Sequence, residues 1–192
     1  MKLLYLAFVE AVLKQVLDKI NDQIIAMKKY NKNTIGVVIG RKTPDFNDNN
    51  AFYYIDTSGY AETRQKEVKT LIAMEILSIL KPDIVYFRYP GSDKFILKFM
   101  QNIDNIVFEH QTKEINERAL VHDKKRALNE KKFGGKCISM AKGIIGVTEE
   151  IALYELKRAG KKLPVYVLPN GINVKKYNLK RLLYRSPNFR LL

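Results

Sequence analysis

The sequence predicts a doubly wound α/β domain built on a mostly parallel sheet. Three observations predict it. Short apolar runs of strand length recur along the chain, and segments with three- and four-residue apolar spacing separate them. These runs are continuously apolar instead of alternating with polar residues, as expected of strands covered on both faces. Residues 143–173 then read without a break as strand, capped helix, second strand and a Pro169-Asn170-Gly171 turn, which is one complete β-α-β crossover.

Each element follows in order. Leu3 to Phe8 is the first core strand. Its apolar start imitates a secretory signal, but Glu10 and Lys14 interrupt the stretch and no small-residue cleavage pattern follows. Leu13, Val16, Leu17, Ile20, Ile24 and Met27 recur at helical spacing and mark an amphipathic helix. Ile35 to Ile39, closed by Gly40, is the second strand; Arg41 to Asn50, with Pro44, is a loop, and Phe52 to Asp56 is a short extra strand. Val68, Leu71, Ile72, Met74, Ile76, Leu77 and Leu80 make a helix that Lys81-Pro82-Asp83 ends, because proline cannot continue it.

Asp83 to Arg88 is the third main strand, Ser92 to Met100 a short helix, and Asn105 to Glu109 the fourth strand. Thr112 to roughly Glu130 is a polar helix or helix pair, after which Gly134-Gly135 lets the chain bend between helices. Ala141 to Val147 and Val165 to Leu168 are two further strands around a helix that begins at Thr148. Residues 1–173 thus form one domain. Lys175 to Asn188 is a polar connector, and Phe189-Arg190-Leu191-Leu192 has the look of another strand beginning.

With 192 residues, 46% of them apolar, the chain can bury a proper core. The single Cys137 excludes an internal disulfide framework and suits a reducing compartment, and no apolar run approaches the roughly 20 residues of a membrane helix. The expected location is cytoplasmic, with peripheral membrane contact allowed by charge. The net charge of +14 attracts nucleic acid, anionic lipid headgroups or phosphate-bearing substrates, unless it is only a solvated lysine-rich surface. Clusters fall at Lys124-Lys125-Arg126, Lys131-Lys132, Lys161-Lys162 and Lys175-Lys176. RNA-recognition signatures, zinc-type Cys/His spacing and a helix-turn-helix pattern are absent, which argues against nucleic acid as partner. No Gly-x-Gly-x-x-Gly or phosphate-loop signature occurs, so neither a dinucleotide nor an ATP site is indicated, and no metal or other cofactor is expected.

Ligands of doubly wound sheets sit beyond the carboxyl ends of the strands, so the residues just after each apolar run carry the chemistry. Glu10 follows the first strand. Arg88 and Tyr89 follow the third, a cationic fork beside an aromatic and the Pro90-Gly91 turn, suited to a phosphate or a carboxylated sugar or else to a surface salt bridge. His110, one of two histidines, stands where it can touch a sugar hydroxyl or phosphate, or be a hydrogen-bonded histidine with no ligand. Glu109 can serve as a base or, with Thr112, cap the next helix. Thr148 caps its own helix with Glu149 and Glu150 in the first turn, and Asn170-Gly171 reads first as a turn. His122 lies in a charged helical stretch and reads as solvated.

Taken together, Asp83-Ile84-Val85-Tyr86-Phe87-Arg88-Tyr89-Pro90, Val107-Phe108-Glu109-His110, Ala141 through Glu150 and Val167-Leu168-Pro169-Asn170-Gly171-Ile172 resemble the GT4 glycosyltransferases of the GT-B fold. The resemblance covers nearly the whole chain. It implies the Rossmann-like N-terminal, acceptor-side half of a retaining glycosyltransferase, with 174–192 as connector and start of a donor-binding domain that lies in cis or trans. The implied partners are a nucleotide-sugar donor, a glycan or lipid-phosphate acceptor and an anionic membrane surface, in polysaccharide biosynthesis. The implied site residues are His110 and Glu109 for catalysis, with Arg88, Tyr89, Glu10, Thr148, Asn170 and Gly171 for substrate. Phe8-Val9-Glu10-Ala11 stands where the family usually carries a Gly-Gly loop, and the isolated half should not turn over, because transfer needs groups on both sides of the bond. The competing expectation is a non-catalytic Rossmann-like module that binds a partner protein or a polyanion.

Overall fold

A computed structural model of the protein describes residues 1–10, 14–42 and 50–170. Leu13, most of the expected 41–50 loop, Gly171 and the connector from 174 onward lie outside the described residues. Seven strands form one sheet in the order β3-β2-β1-β4-β5-β6-β7: Leu3–Val9, Thr34–Gly40, Tyr53–Asp56, Ile84–Arg88, Ile106–His110, Gly143–Gly146 and Val165–Val167 for β1 to β7. Every neighbouring pair is parallel, so all carboxyl ends meet at one edge. The chain steps outward from β1 to β2 and β3, then returns to lay β4 against the other side of β1. The crevice beyond β1 and β4 is therefore the topological switch point, where parallel sheets of this kind place ligands.

Side chains alternate across the sheet, and the two faces have different covers. Leu4 and Leu6 of β1, Val85 and Phe87 of β4 and Phe108 of β5 point to one face, into a core with Phe99, Cys137, Ile138 and Ala159. The helices on that side are α2 (Gln65–Leu80), α3 (Lys94–Met100), α5 (Lys124–Ser139) and α6 (Glu149–Ala159). Tyr5 and Ala7 of β1, Val38 of β2 and Tyr86 of β4 face the other way, beneath Leu17, Ile20 and Ile24 of α1 (Lys14–Tyr30). Phe87 is fully buried with its ring edge-on to Phe8 and Phe99, and such a side chain contributes about 2–3 kcal/mol of burial.

The expected polar helix is a pair, α4 (Glu114–Leu120) and α5, hinged at His122, which takes the left-handed φ of 57°. Asp123 starts α5 by accepting from the Arg126 amide at 3.1 Å. Gly134 and Gly135 correct one expectation: they lie inside α5, and the chain does not bend there. A Cβ on Gly134 would come 1.9 Å from Nη2 of Arg158, and one on Gly135 would come 2.7 Å from the Arg158 carbonyl oxygen. Their function is to let α5 lie directly on α6. No helix among the described residues is long and apolar enough to cross a membrane.

Candidate functional site

The carboxyl edge of the sheet carries two polar assemblies, one on each face, and a row of cations at the mouth between β1 and β4. On the α1 face stand Arg88 and Glu109, cross-strand partners in β4 and β5. Glu109 is 1% exposed; its Oε1 accepts from Gln23 Nε2 at 2.6 Å, and Gln23 Oε1 accepts in turn from the Tyr5 hydroxyl at 2.8 Å. Arg88 Nη1 lies 3.9 Å from Glu109 Oε2, a pair between a partly buried guanidinium and a buried carboxylate, and not the surface salt bridge of the alternative expectation. Lys19 of α1 reaches across to donate to Gln111, and burial, then the Arg88 charge, pushes its pKa down to about 8. Glu109 does not cap α4, whose capping residue is Lys113.

Adjacent strand residues point to opposite faces, so His110 turns away from Glu109 into the helix-covered side. Its ring lies 4.3 Å from that of Tyr89 and 5.9 Å from that of Phe108, and Nδ1 is 3.8 Å from Glu155 Oε1. The imidazole is completely enclosed. Burial, with a smaller contribution from the Arg158 charge, pushes its pKa down to about 3, so it is neutral at physiological pH. Beside it, Glu130 accepts from the Tyr89 hydroxyl at 2.7 Å, from the Ser92 amide at 2.5 Å and from Arg158 Nη2 at 2.5 Å, while Arg158 Nη1 donates to Glu155 at 2.7 Å. This network ties β4, β5, α5 and α6 under the Pro90-Gly91 loop.

Gly91 takes φ +71°, and a Cβ there would come 3.4 Å from Glu114 Oε2, 3.5 Å from Glu130 Oε2 and 3.8 Å from Lys66 Nζ. The loop backbone therefore passes between two carboxylates and an ammonium. Burial pushes Glu114 up to about 7 even though Arg118 sits 3.3 Å away, and burial lowers Lys66. Across the mouth, Lys69 is 2% exposed and donates to the Val9 carbonyl at 2.6 Å, with its pKa pushed down to about 8 by burial. Glu10 is paired with Arg126 at the start of α5.

The structure thus joins Arg88 to Glu109 and Glu10 to Arg126, and sets Tyr89 and His110 together below the loop. Thr148 is exposed and caps α6 by accepting from the Ile151 amide at 3.2 Å. Asn170 is exposed at the last described position, and Gly171 lies outside. Lys66, Lys69, Glu114 and Lys19 escaped the sequence reading, and Arg126 entered it only as part of the Lys124-Lys125-Arg126 cluster. A signal existed for Lys69: it falls on the stripe of α2 shared by buried Gln65, Val68 and Ala73, where a lysine needs a partner. Among the described residues no group of three or more His, Cys, Asp or Glu is arranged to hold a metal ion.

No protein-family profile matches the chain. No curated protein sequence matches it significantly. Solved structures do. A UDP-GlcNAc 2-epimerase from Neisseria meningitidis, crystallised with UDP-GlcNAc, superposes with a TM-score of 0.58 at 13% identity, over 100% of this chain and 54% of that one. A UDP-N-acetylglucosamine 2-epimerase from Rickettsia bellii gives 0.54 at 14% identity, over 97% of this chain and 50% of that one. At such identities the likeness is one of fold: a Rossmann-like, GT-B-like domain with helices on both faces of a parallel sheet. The chain spans about half the length of these structures.

Proposed function

We propose that this chain is one Rossmann-like half of a nucleotide-sugar-processing enzyme, and that its crevice beyond β1 and β4 forms one side of the reaction cleft. The observation that carries the reading is the gathering of Lys66, Arg126 and Lys69 around the switch point, in a sheet whose fold is shared with enzymes of UDP-GlcNAc. Phosphate is matched by such cations, and Gly91 lets the backbone pass close to a ligand. Glu114, with a carboxyl pKa near neutrality, can hold or release a proton there. Arg88 contacts the substrate on the α1 side with Glu109 fixing its guanidinium, while His110 acts as a positioning residue behind Tyr89.

The finer reading is retaining transfer of a sugar from a nucleotide sugar to a glycan or lipid-linked acceptor, completed by a donor-holding domain in cis or trans. The motifs from Asp83 to Pro90 and from Ala141 to Glu150 support it. The likeness in fold to two epimerases supports a second reading, in which a crevice of this kind serves epimerisation of the nucleotide sugar. Product analysis separates the two: transfer releases the nucleoside diphosphate and enlarges the acceptor, whereas epimerisation inverts one carbon of the sugar and enlarges no acceptor.

The chain itself allows a direct test, in which UDP-GlcNAc is titrated while backbone amide shifts are followed. Gly91, Ser92 and Glu10 should respond selectively, and Lys66→Ala together with Arg126→Ala should weaken binding at least about tenfold, since charge-assisted contacts to phosphate are lost. A diffuse response that inorganic polyphosphate reproduces equally well would replace this reading with that of a polyanion-binding module.

A further inference from the structure

Three large apolar side chains are exposed near the junction where α4 gives way to α5: Leu120 is 80% exposed, Val121 62% and Leu128, in the second turn of α5, 67%. Helical spacing puts Lys125, Leu128 and Lys132 on one stripe of α5, opposite the buried stripe of Glu130, Gly134 and Cys137. Lys124, Lys125, Lys131 and Lys132 are all exposed. The nearby acids are occupied, for Glu117 accepts from Thr112 at 2.6 Å and Asp123 caps α5 and pairs with Arg126 at 3.2 Å. Residues 117–136 contain seven basic and three acidic side chains, a local net charge of +4.

Each kind of partner satisfies this corner differently. A nucleic acid would neutralise the lysines and leave the leucines in water, and an apolar protein groove would take the leucines but strip the lysines of solvent. A bilayer surface accommodates both at once, because apolar side chains enter the headgroup boundary while lysines stay at the phosphate level. We propose that the α4–α5 corner docks on an anionic phospholipid bilayer, with Leu120, Val121 and Leu128 inserted and Lys124, Lys125, Lys131 and Lys132 on the phosphates. Arg126 ties the same corner to Glu10, so docking brings the crevice beyond β1 and β4 close to the membrane surface. This inference does not depend on nucleotide-sugar chemistry, and the amide titration above can fail or succeed without it.

The test is co-sedimentation of the full chain with mixed phosphatidylglycerol–phosphatidylcholine vesicles and with pure phosphatidylcholine vesicles, at low and raised salt. Binding is expected to the mixed vesicles alone and to weaken as salt rises. Leu128→Ser should lower the partition coefficient about tenfold by removing one inserted side chain. Lys125→Gln with Lys132→Gln should lower it about thirtyfold, at roughly fivefold per lysine near the surface. These are surface changes, so an unaltered thermal melt shows that the fold is intact. The proposal is overturned if the chain ignores both vesicle types or if the variants bind as tightly as the parent. It is also overturned if single-stranded DNA competes fully while Leu128→Ser has no effect, which marks a polyanion surface. A dimer that Leu128→Ser dissociates, without vesicle binding, would assign the patch to self-association.

Discussion

His110 faces Tyr89, sees Glu155 at 3.8 Å and has no exposed edge, so the folded protein holds it neutral with a pKa near 3. In the unfolded chain it titrates near ~6.5. Between those values the unfolded chain binds more protons, so the stability His110 contributes is complete above about pH 6.5 and is lost as pH falls toward its folded pKa. The ceiling on that loss is on the order of 5 kcal/mol. Glu114 and Glu155 work in the opposite sense, since burial raises each to about 7 and their contribution, present at low pH, fades as pH rises through neutrality. His110→Phe fills the same space beside Tyr89 and cannot titrate. Urea melts of the variant should show a shallower loss of stability on acidification below pH ~6.5 than the parent. An identical slope would mean that other groups carry it. The period of two in a strand already tells that Glu109 and His110 face opposite ways. What encloses His110 was not legible, because Tyr89, Glu155 and Arg158 converge on it from elements far apart in sequence.

At the scale of elements, α5 shows how a tertiary contact overrides a local signal. Two adjacent glycines ordinarily break or bend a helix, and replacing one with alanine in an exposed helix gains about 1 kcal/mol. At Gly135 the new Cβ would meet the backbone of α6 at 2.7 Å, and a carbonyl oxygen within a helix cannot swing aside. Overpacking of this kind costs about 1–3 kcal/mol, which exceeds the gain in helix propensity. Gly135→Ala should therefore lower stability by up to roughly 2 kcal/mol in urea melts, with the midpoint moving and the slope unchanged. A stabilised variant would show that α6 can retreat at no cost. The strands were easier to read, since a continuous apolar run needs no distant partner to be recognised; only their ends differ, as at His110, which closes β5 one residue later than expected. The boundary of α5 at Ser139 could not be placed from sequence, because the helix is stabilised by packing on α3 and α6 more than by its own composition.

Across the whole molecule the two faces of the sheet are unequally covered, and this decides where the structure opens first. Four helices pack on one face, while α1 covers chiefly β1 and β2 on the other. Toward the β7 edge on the α1 side, Val107 and Ile145 are only partly buried and Tyr166 is 69% exposed. Continuous apolar runs implied two full covers, and the sequence held no means of telling that one cover is shorter. The central strands β1 and β4 have hydrogen-bonded neighbours on both sides and residues that are almost entirely buried, whereas β7 has one neighbour and three residues. Local opening is governed by buried apolar contact and by backbone hydrogen bonds out of reach of water, so amide exchange should separate these strands. Amides of β1 and β4 should exchange only with global unfolding, and those of β7 by a far easier local opening. Comparable protection in β7 would mean that its open face is covered in solution. If that protection appeared only when a second α/β domain was supplied, the covered face would be a surface on which that domain packs.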